Sequence, residues 1–141
     1  VTSCAFCRVV SGSSSAALVH EDELTLAFLD HRPLFPGHCL LVPRQHVETL
    51  GDLPPALLQP VFLAVQRLAR AVESGMGAQG AFVAINNRVS QSVPHLHVHV
   101  VPRRQKDGLR GFFWPRQRYE SPAAMEGARA AIARALATSA D

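Results

Sequence analysis

The sequence predicts an α+β domain, an antiparallel sheet of about five strands with helices packed on it. Three observations carry that expectation. Between Pro94 and Pro102, histidines alternate with aliphatic residues at a period of two, the period of a strand. Two apolar runs, Ala17 to His20 and Leu24 to Leu29, are separated only by Glu21-Asp22-Glu23, the spacing of a hairpin. Leu57, Leu58, Val61, Val65, Leu68, Ala69 and Val72 recur at helical spacing. Hairpins join antiparallel neighbours, and strands clustered with helices between and after them make an α+β fold.

Taken in order, Ser3 to Val10 reads as one helical turn or knuckle, and Ser11-Gly12-Ser13-Ser14-Ser15 as a flexible connection. The hairpin strands follow. Asp30 to Gly37, with two prolines and a glycine, is a loop, and His38 to Val42 is a third strand ended by Pro43. Asp52-Leu53-Pro54-Pro55 is a helix start, aspartate as cap and proline in the first turn. That helix extends to about Ser74, with a kink or a broken first turn expected at Pro60, and Gly75-Met76-Gly77 ends it. Ala81 to Ile85 is a fourth strand and the histidine stretch a fifth. Residues 103 to 120 are a loop rich in Gly, Arg and aromatics. Ser121-Pro122 opens a last Ala-rich helix to about Ala137, expected to pack on the core.

The 141 residues suit one domain spanning 1–141, and an apolar share of 48% suits a globular one. A net charge of +3 favours small anionic ligands but is too weak and dispersed to argue for nucleic acid. No apolar run approaches the ~18 residues of a membrane span, and no signal-peptide pattern opens the chain. Three cysteines, two of them in Cys4-x-x-Cys7, argue for a reducing compartment and a metal or redox role. The expectation is a cytoplasmic protein without membrane or nucleic-acid partners.

On a strand, His95, His97 and His99 share one face, with Leu96, Val98 and Val100 on the other. Imidazole can be base, nucleophile or metal ligand near neutral pH. Three protonated rings in a row would repel, so some must be neutral. An exposed polar strand face is the bland alternative, and the apolar company of these histidines speaks against it.

The motif His-φ-His-φ-His-φ-φ, φ being apolar, resembles the signature of the histidine-triad family of nucleotide hydrolases and transferases, and the resemblance extends from Cys4 to about Trp114. It implies the α+β fold above, usually as a homodimer whose two sheets are joined. It implies that His97 attacks the α-phosphate to form a nucleotidyl-histidine that water resolves, that His99 donates to a phosphate oxygen, and that His38 supports the triad from a neighbouring strand. Ser92 and Gln91 keep the family's usual places as donors to phosphate or leaving group. Asn86 or Asn87 joins them, in a loop shorter than usual that has Ser90 where glycine is usual. Asp30 would accept from ribose hydroxyls, and Phe6, Val9, Phe28 and Leu29 would form the slot for the base, although for these four core packing is the stronger default, a pocket wall being core on one side anyway. Trp114 would lie near the partner's active site.

Cys4 and Cys7 need two more ligands to hold zinc, and His46 and His95 are the candidates. The resemblance implies the same Cys-Cys-His-His set, a closed site that is structural and leaves catalysis free of metal. A redox dithiol is the alternative. Cys39, in an apolar strand, should be buried and inert. The expected substrates are nucleoside phosphoramidates or dinucleoside polyphosphates, with a purine nucleotide as ligand. The rival readings are a phosphorylase using phosphate as acceptor, a nucleotide-binding scaffold with residual activity, and a metal-handling centre.

Overall fold

In the computed structural model, the described residues are 3–110 and 115–138. They divide into two compact units, Val1–Asp107 and Gly108–Asp141. The first holds a five-stranded antiparallel sheet: β1 (Leu18–Glu21), β2 (Thr25–Leu29), β3 (Cys39–Pro43), β4 (Gly80–Ala84) and β5 (Val98–Arg103), in the order β1-β2-β3-β5-β4. Helices α1 (Ala5–Ser11) and α2 (Pro55–Gly75) belong to the same unit.

Strand alternation sorts the sheet into two faces. Ala27, Leu41, Val98 and Val100 face α2, whose Val61, Ala64, Val65, Leu68 and Val72 are buried in the same cluster. Each buried Val or Leu there contributes roughly 1.5–3 kcal/mol. Leu26, Phe28, Leu40 and Val42 face the other way and pack with Phe6 of α1. The histidines lie on this second side, against α1.

Helix α2 is continuous through Pro60, without the broken first turn expected from the sequence. The proline stands in the second turn, so the bond it forfeits is to the carbonyl of Ala56, an exposed residue that water can serve. Regular strand β5 starts at Val98, later than expected. His95 and His97 sit in the lead-in, His95 at a bend, where the Leu96 N–H bonds to the carbonyl of Val47 instead of to the sheet ladder. The period of two survives, with Leu96 buried on the α2 side.

The second unit contains α3 (Pro122–Thr138), capped by the Ser121 hydroxyl, which accepts the Ala124 N–H at 3.0 Å. None of the helix's described residues is buried, and Met125, Ile132 and Leu136 are exposed.

Candidate active site

Hydrogen-bond polarity assigns the protons of four histidines. A carbonyl oxygen can only accept, so His97, with Nδ1 2.7 Å from the His95 carbonyl, must carry its hydrogen on Nδ1. When neutral it therefore keeps its lone pair on Nε2. Likewise His95 donates from Nε2 to the Pro43 carbonyl at 2.9 Å, which leaves its Nδ1 unprotonated. His38 Nδ1 accepts the Leu34 N–H at 3.0 Å, so neutral His38 donates from Nε2 to His99 Nδ1, also at 3.0 Å. His99 then carries its hydrogen on Nε2.

Burial favours the neutral form of His38, His95 and His99. His95 is fully buried, and His38 and His97 nearly so. Burial pushes His38 below its ordinary value against the pull of Asp30. It also lowers His99 to about 4, helped by the charges of His97 and His38 and opposed by Asp30. The row thus presents a neutral N–H donor on His99 beside His97, whose Nε2 holds the lone pair when that ring is neutral.

Both rings line a cavity of about 540 Å³ whose wall includes Phe6, Val9, Phe28, Leu29 and Leu40, with Asp30 and Ser92 also on it. The sheet register explains this layout: His99 pairs with Leu40, Leu40 with Phe28 and Phe28 with Leu18, a single row across four strands. Phe6 stands edge-on to His97 with ring centroids 5.0 Å apart. Asp30 accepts the Arg32 N–H through Oδ1 at 2.9 Å and brings Oδ2 within 3.7 Å of His38 Nε2.

The loop before the triad is placed differently. The Gln91 side chain is engaged at both ends, accepting the Arg88 N–H at 2.8 Å and donating to the Glu48 carbonyl at 2.6 Å. Asn87 accepts the Leu50 N–H at 2.9 Å. Asn86 is exposed, and neither Asn86 nor Gln91 lines the cavity. Trp114 lies outside the described residues. Arg8, Ser14, Ser15 and His31 also line the cavity but carried no sequence expectation. No sequence pattern distinguishes them; only the course of the loop brings them there.

On the far side of His95 stands a second cluster, Cys4, Cys7, His46 and His95. Cys4 caps α1, its sulfur accepting the Cys7 N–H at 3.4 Å, and Gly12 closes the helix in the left-handed region at φ 83°. The ligand atoms stand close together: His46 Nδ1 to His95 Nδ1 3.2 Å, Cys7 Sγ to His46 Nδ1 3.3 Å, Cys4 Sγ to His95 Nδ1 3.5 Å and Cys7 Sγ to His95 Nδ1 3.6 Å. Zinc bonded at ~2.0–2.1 Å to nitrogen and ~2.3 Å to sulfur would need tetrahedron edges of roughly 3.3–3.7 Å. The donor set and its spacing fit that ion, and so does the unprotonated Nδ1 of His95, aimed into the cluster. Asp30, His38 and His99 also come together. There a hydrogen already occupies the space between the two rings, so hydrogen bonding accounts for that group without a metal.

Cys39 is buried, as expected. Its thiol donates to the Gly37 carbonyl at 3.3 Å, and burial raises its pKa.

Comparison with known proteins follows the same lines. The profile described as "HIT domain" matches residues 11–106. "Protein hit" of Bacillus subtilis is 34% identical over 139 residues, covering 96% of each chain. "Adenylylsulfatase HINT3" of Arabidopsis thaliana is 32% identical over 108 residues, 75% of this chain and 55% of that protein. The asymmetrical bis(5'-nucleosyl)-tetraphosphatase of Schizosaccharomyces pombe is 34% identical over 90 residues, 62% of this chain and 50% of that protein. This chain thus spans about half the length of each of the last two. The crystal structure of a zinc-bound histidine triad family protein from Mycobacterium smegmatis superposes with a TM-score of 0.73 at 38% identity, covering 98% of this chain and 99% of that one.

Proposed function

Because the chain belongs to the histidine-triad (HIT domain) family, we propose that it is a nucleotide hydrolase or transferase that works through a nucleotidyl-histidine on His97. The observation that carries the reading is the commitment of His97 Nδ1 to the His95 carbonyl, which leaves a lone pair on a ring that lines an apolar-walled cavity. Two relatives bear the names of nucleotide hydrolases, an adenylylsulfatase and a dinucleoside tetraphosphatase.

In this mechanism His97 Nε2 attacks the α-phosphorus. A P–N bond to the ring forms as the bond to the leaving amine, or to the leaving nucleotide's oxygen, breaks. His99 Nε2–H donates to a phosphate oxygen as negative charge concentrates there, and His38 holds His99 in the tautomer that does so. Ser92, which lines the cavity, donates to the leaving group. Water then attacks phosphorus, the P–N bond breaks, and nucleoside monophosphate leaves. Asp30 accepts from the ribose hydroxyls, and Phe6, Val9, Phe28 and Leu29 enclose a purine. Asn86 and Gln91 join the phosphate end only if their loop rearranges on binding. The substrates proposed are nucleoside phosphoramidates and dinucleoside polyphosphates.

Cys4, Cys7, His46 and His95 would hold zinc. Such a closed four-ligand site supplies rigidity, tying α1 to the catalytic segment. Reduced cysteines suit a cytoplasmic setting. The proposed assembly is a homodimer joined at β4, an edge strand of the sheet with an exposed Val83, with the exposed Leu58 and Phe62 of α2 as further apolar surface. Among the described residues no helix is long and apolar enough to cross a membrane.

Intact-mass analysis during turnover of an adenosine phosphoramidate, with and without inorganic phosphate, tests the reading. A nucleotidyl adduct present in the wild-type protein and lost in His97→Ala supports it. Turnover unchanged in His97→Ala overturns it. Nucleoside diphosphate as product when phosphate is present identifies a phosphorylase.

A further inference from the structure

We infer that Arg8 reads the edge of the bound base and gives this site a preference for 6-oxopurine nucleotides, those of guanine, over adenine nucleotides. The inference rests on the nucleotide reading of the cavity and adds its specificity.

The sheet register fixes which end of the cavity receives the base. Starting from His99, the row runs to Leu40, then Phe28, then Leu18. With strands ~4.8 Å apart, Phe28 lies about 10 Å and β1 about 14 Å from β5. A nucleotide with its phosphorus at His97 therefore lays its base over Phe28 and turns the base's far edge toward the segment that enters β1. That segment brings Ser14 and Ser15 to the cavity wall, and the Leu29 N–H bonds to the Ala17 carbonyl at 3.0 Å, which fixes it beside β2. Arg8 belongs to the same end. Its carbonyl accepts the Ser14 N–H at 3.0 Å, the Ser11 hydroxyl at 3.1 Å and the Ser13 hydroxyl at 3.3 Å, so the last turn of α1 and the serine loop form one unit. Arg8 is half-buried and lines the cavity.

Guanidinium offers five donors in a fixed fork and no acceptor. Guanine presents two acceptors, N7 and O6, along one edge, whereas adenine presents N7 beside an amino donor. A donor-only fork therefore matches guanine and opposes adenine. Serine hydroxyls donate or accept, so Ser14 and Ser15 bind without choosing. Asp30, the one carboxylate on the cavity wall among the described residues, stands beside His38 at the phosphate end and supplies no acceptor to the base.

The test compares kcat/KM for guanosine and adenosine 5'-phosphoramidates, and affinity for GMP and AMP by calorimetry, in the wild-type protein, Arg8→Ala and Arg8→Gln. The wild-type protein should favour guanosine by about tenfold or more. Arg8→Ala should bring the ratio close to one, and Arg8→Gln, whose amide matches the adenine edge, to one or below, mainly through KM. Arg8→Gln, which keeps most of the side-chain stem, covers the case in which Arg8→Ala fails to fold. A wild-type ratio within twofold of one, or a ratio kept by Arg8→Gln, overturns the inference. Absence of turnover with both substrates would count against the hydrolase reading alone, because GMP and AMP affinities still report on Arg8. Equal affinities there would overturn the inference separately.

Discussion

The carbonyl oxygen of His95 accepts the Nδ1 hydrogen of His97 at 2.7 Å, while the His95 ring, held through Nε2 by Pro43, turns its own Nδ1 toward Cys4 and Cys7. One residue thus serves two centres, its main chain orienting the proposed nucleophile and its side chain facing the Cys4-Cys7-His46 cluster. The roles are separable by mutation, because a carbonyl persists in any substitution of the side chain.

Removing the proposed nucleophile should be far costlier than removing its neighbours. His97→Ala is expected to lower phosphoramidate turnover by at least about 10⁴-fold with the fold retained. Rate measurements beside a thermal melt check this. A loss below tenfold would point to chemistry carried elsewhere.

Cys4→Ser should cost stability more than chemistry. The wild-type protein should carry one zinc per chain, the variant none, and the melting temperature should fall on the order of 10 °C as metal-linked stability is lost. Turnover should fall only about tenfold, because His95 still offers its carbonyl to His97. Metal analysis with melts reads both quantities. More than one zinc per chain, or turnover that tracks added metal, would contradict a purely structural ion.

The alternation of His95, Leu96, His97, Val98 and His99 was legible in the sequence because a period of two survives even where the regular ladder does not. The spacing of Cys4 and Cys7 was legible for a similar reason, local geometry being enough to bring two sulfurs together. What the sequence does not express is where a side chain's hydrogen bonds go. Gln91 has the composition of a phosphate donor, yet both ends of its amide are bonded to main chain. Arg8 reads as an ordinary charged residue on a short helix, and only the return of the serine loop against it brings it to the cavity.

Gly37 precedes His38 and adopts φ +95°, and a Cβ built there would lie 2.6 Å from Met76 Cγ. Gly37→Ala should therefore destabilise by more than the ~1–2 kcal/mol of left-handed backbone alone. Adding Met76→Ala should relieve the steric part and leave the backbone part. Denaturant titrations of the single and double variants measure the two, and a neutral Gly37→Ala would contradict the geometry.

Ser90 makes the opposite case. It holds φ 60° with a side chain, in the loop that leads to the triad, and is exposed. Ser90→Gly removes the left-handed penalty at the cost of greater freedom in the unfolded chain, for a net gain of about 0.5 kcal/mol. A raised denaturation midpoint with an unchanged slope is the expected reading. A lowered one would mean that the hydroxyl matters more to the loop than its backbone strain.

Stability should fall as acid is added, and the two paired histidines say where. Burial, then the charges of His97 and His38, holds His99 down to about 4 against the pull of Asp30, and burial lowers His38 as well. Unfolded histidine takes up its proton near ~6.5. Between those values the unfolded chain binds protons that the folded chain refuses, so stability rises with pH across that window and levels off above it. His99 alone accounts for at most about 3 kcal/mol of the change. His99→Asn removes its titration but leaves His38 and the Cys4-Cys7-His46-His95 cluster in place. Denaturation at pH 7.5, 6.0 and 5.0 should accordingly show a shallower loss in the variant than in the wild-type protein. Parallel losses would mean that His99 is already protonated in the folded state, and its Nδ1 could then no longer accept from His38.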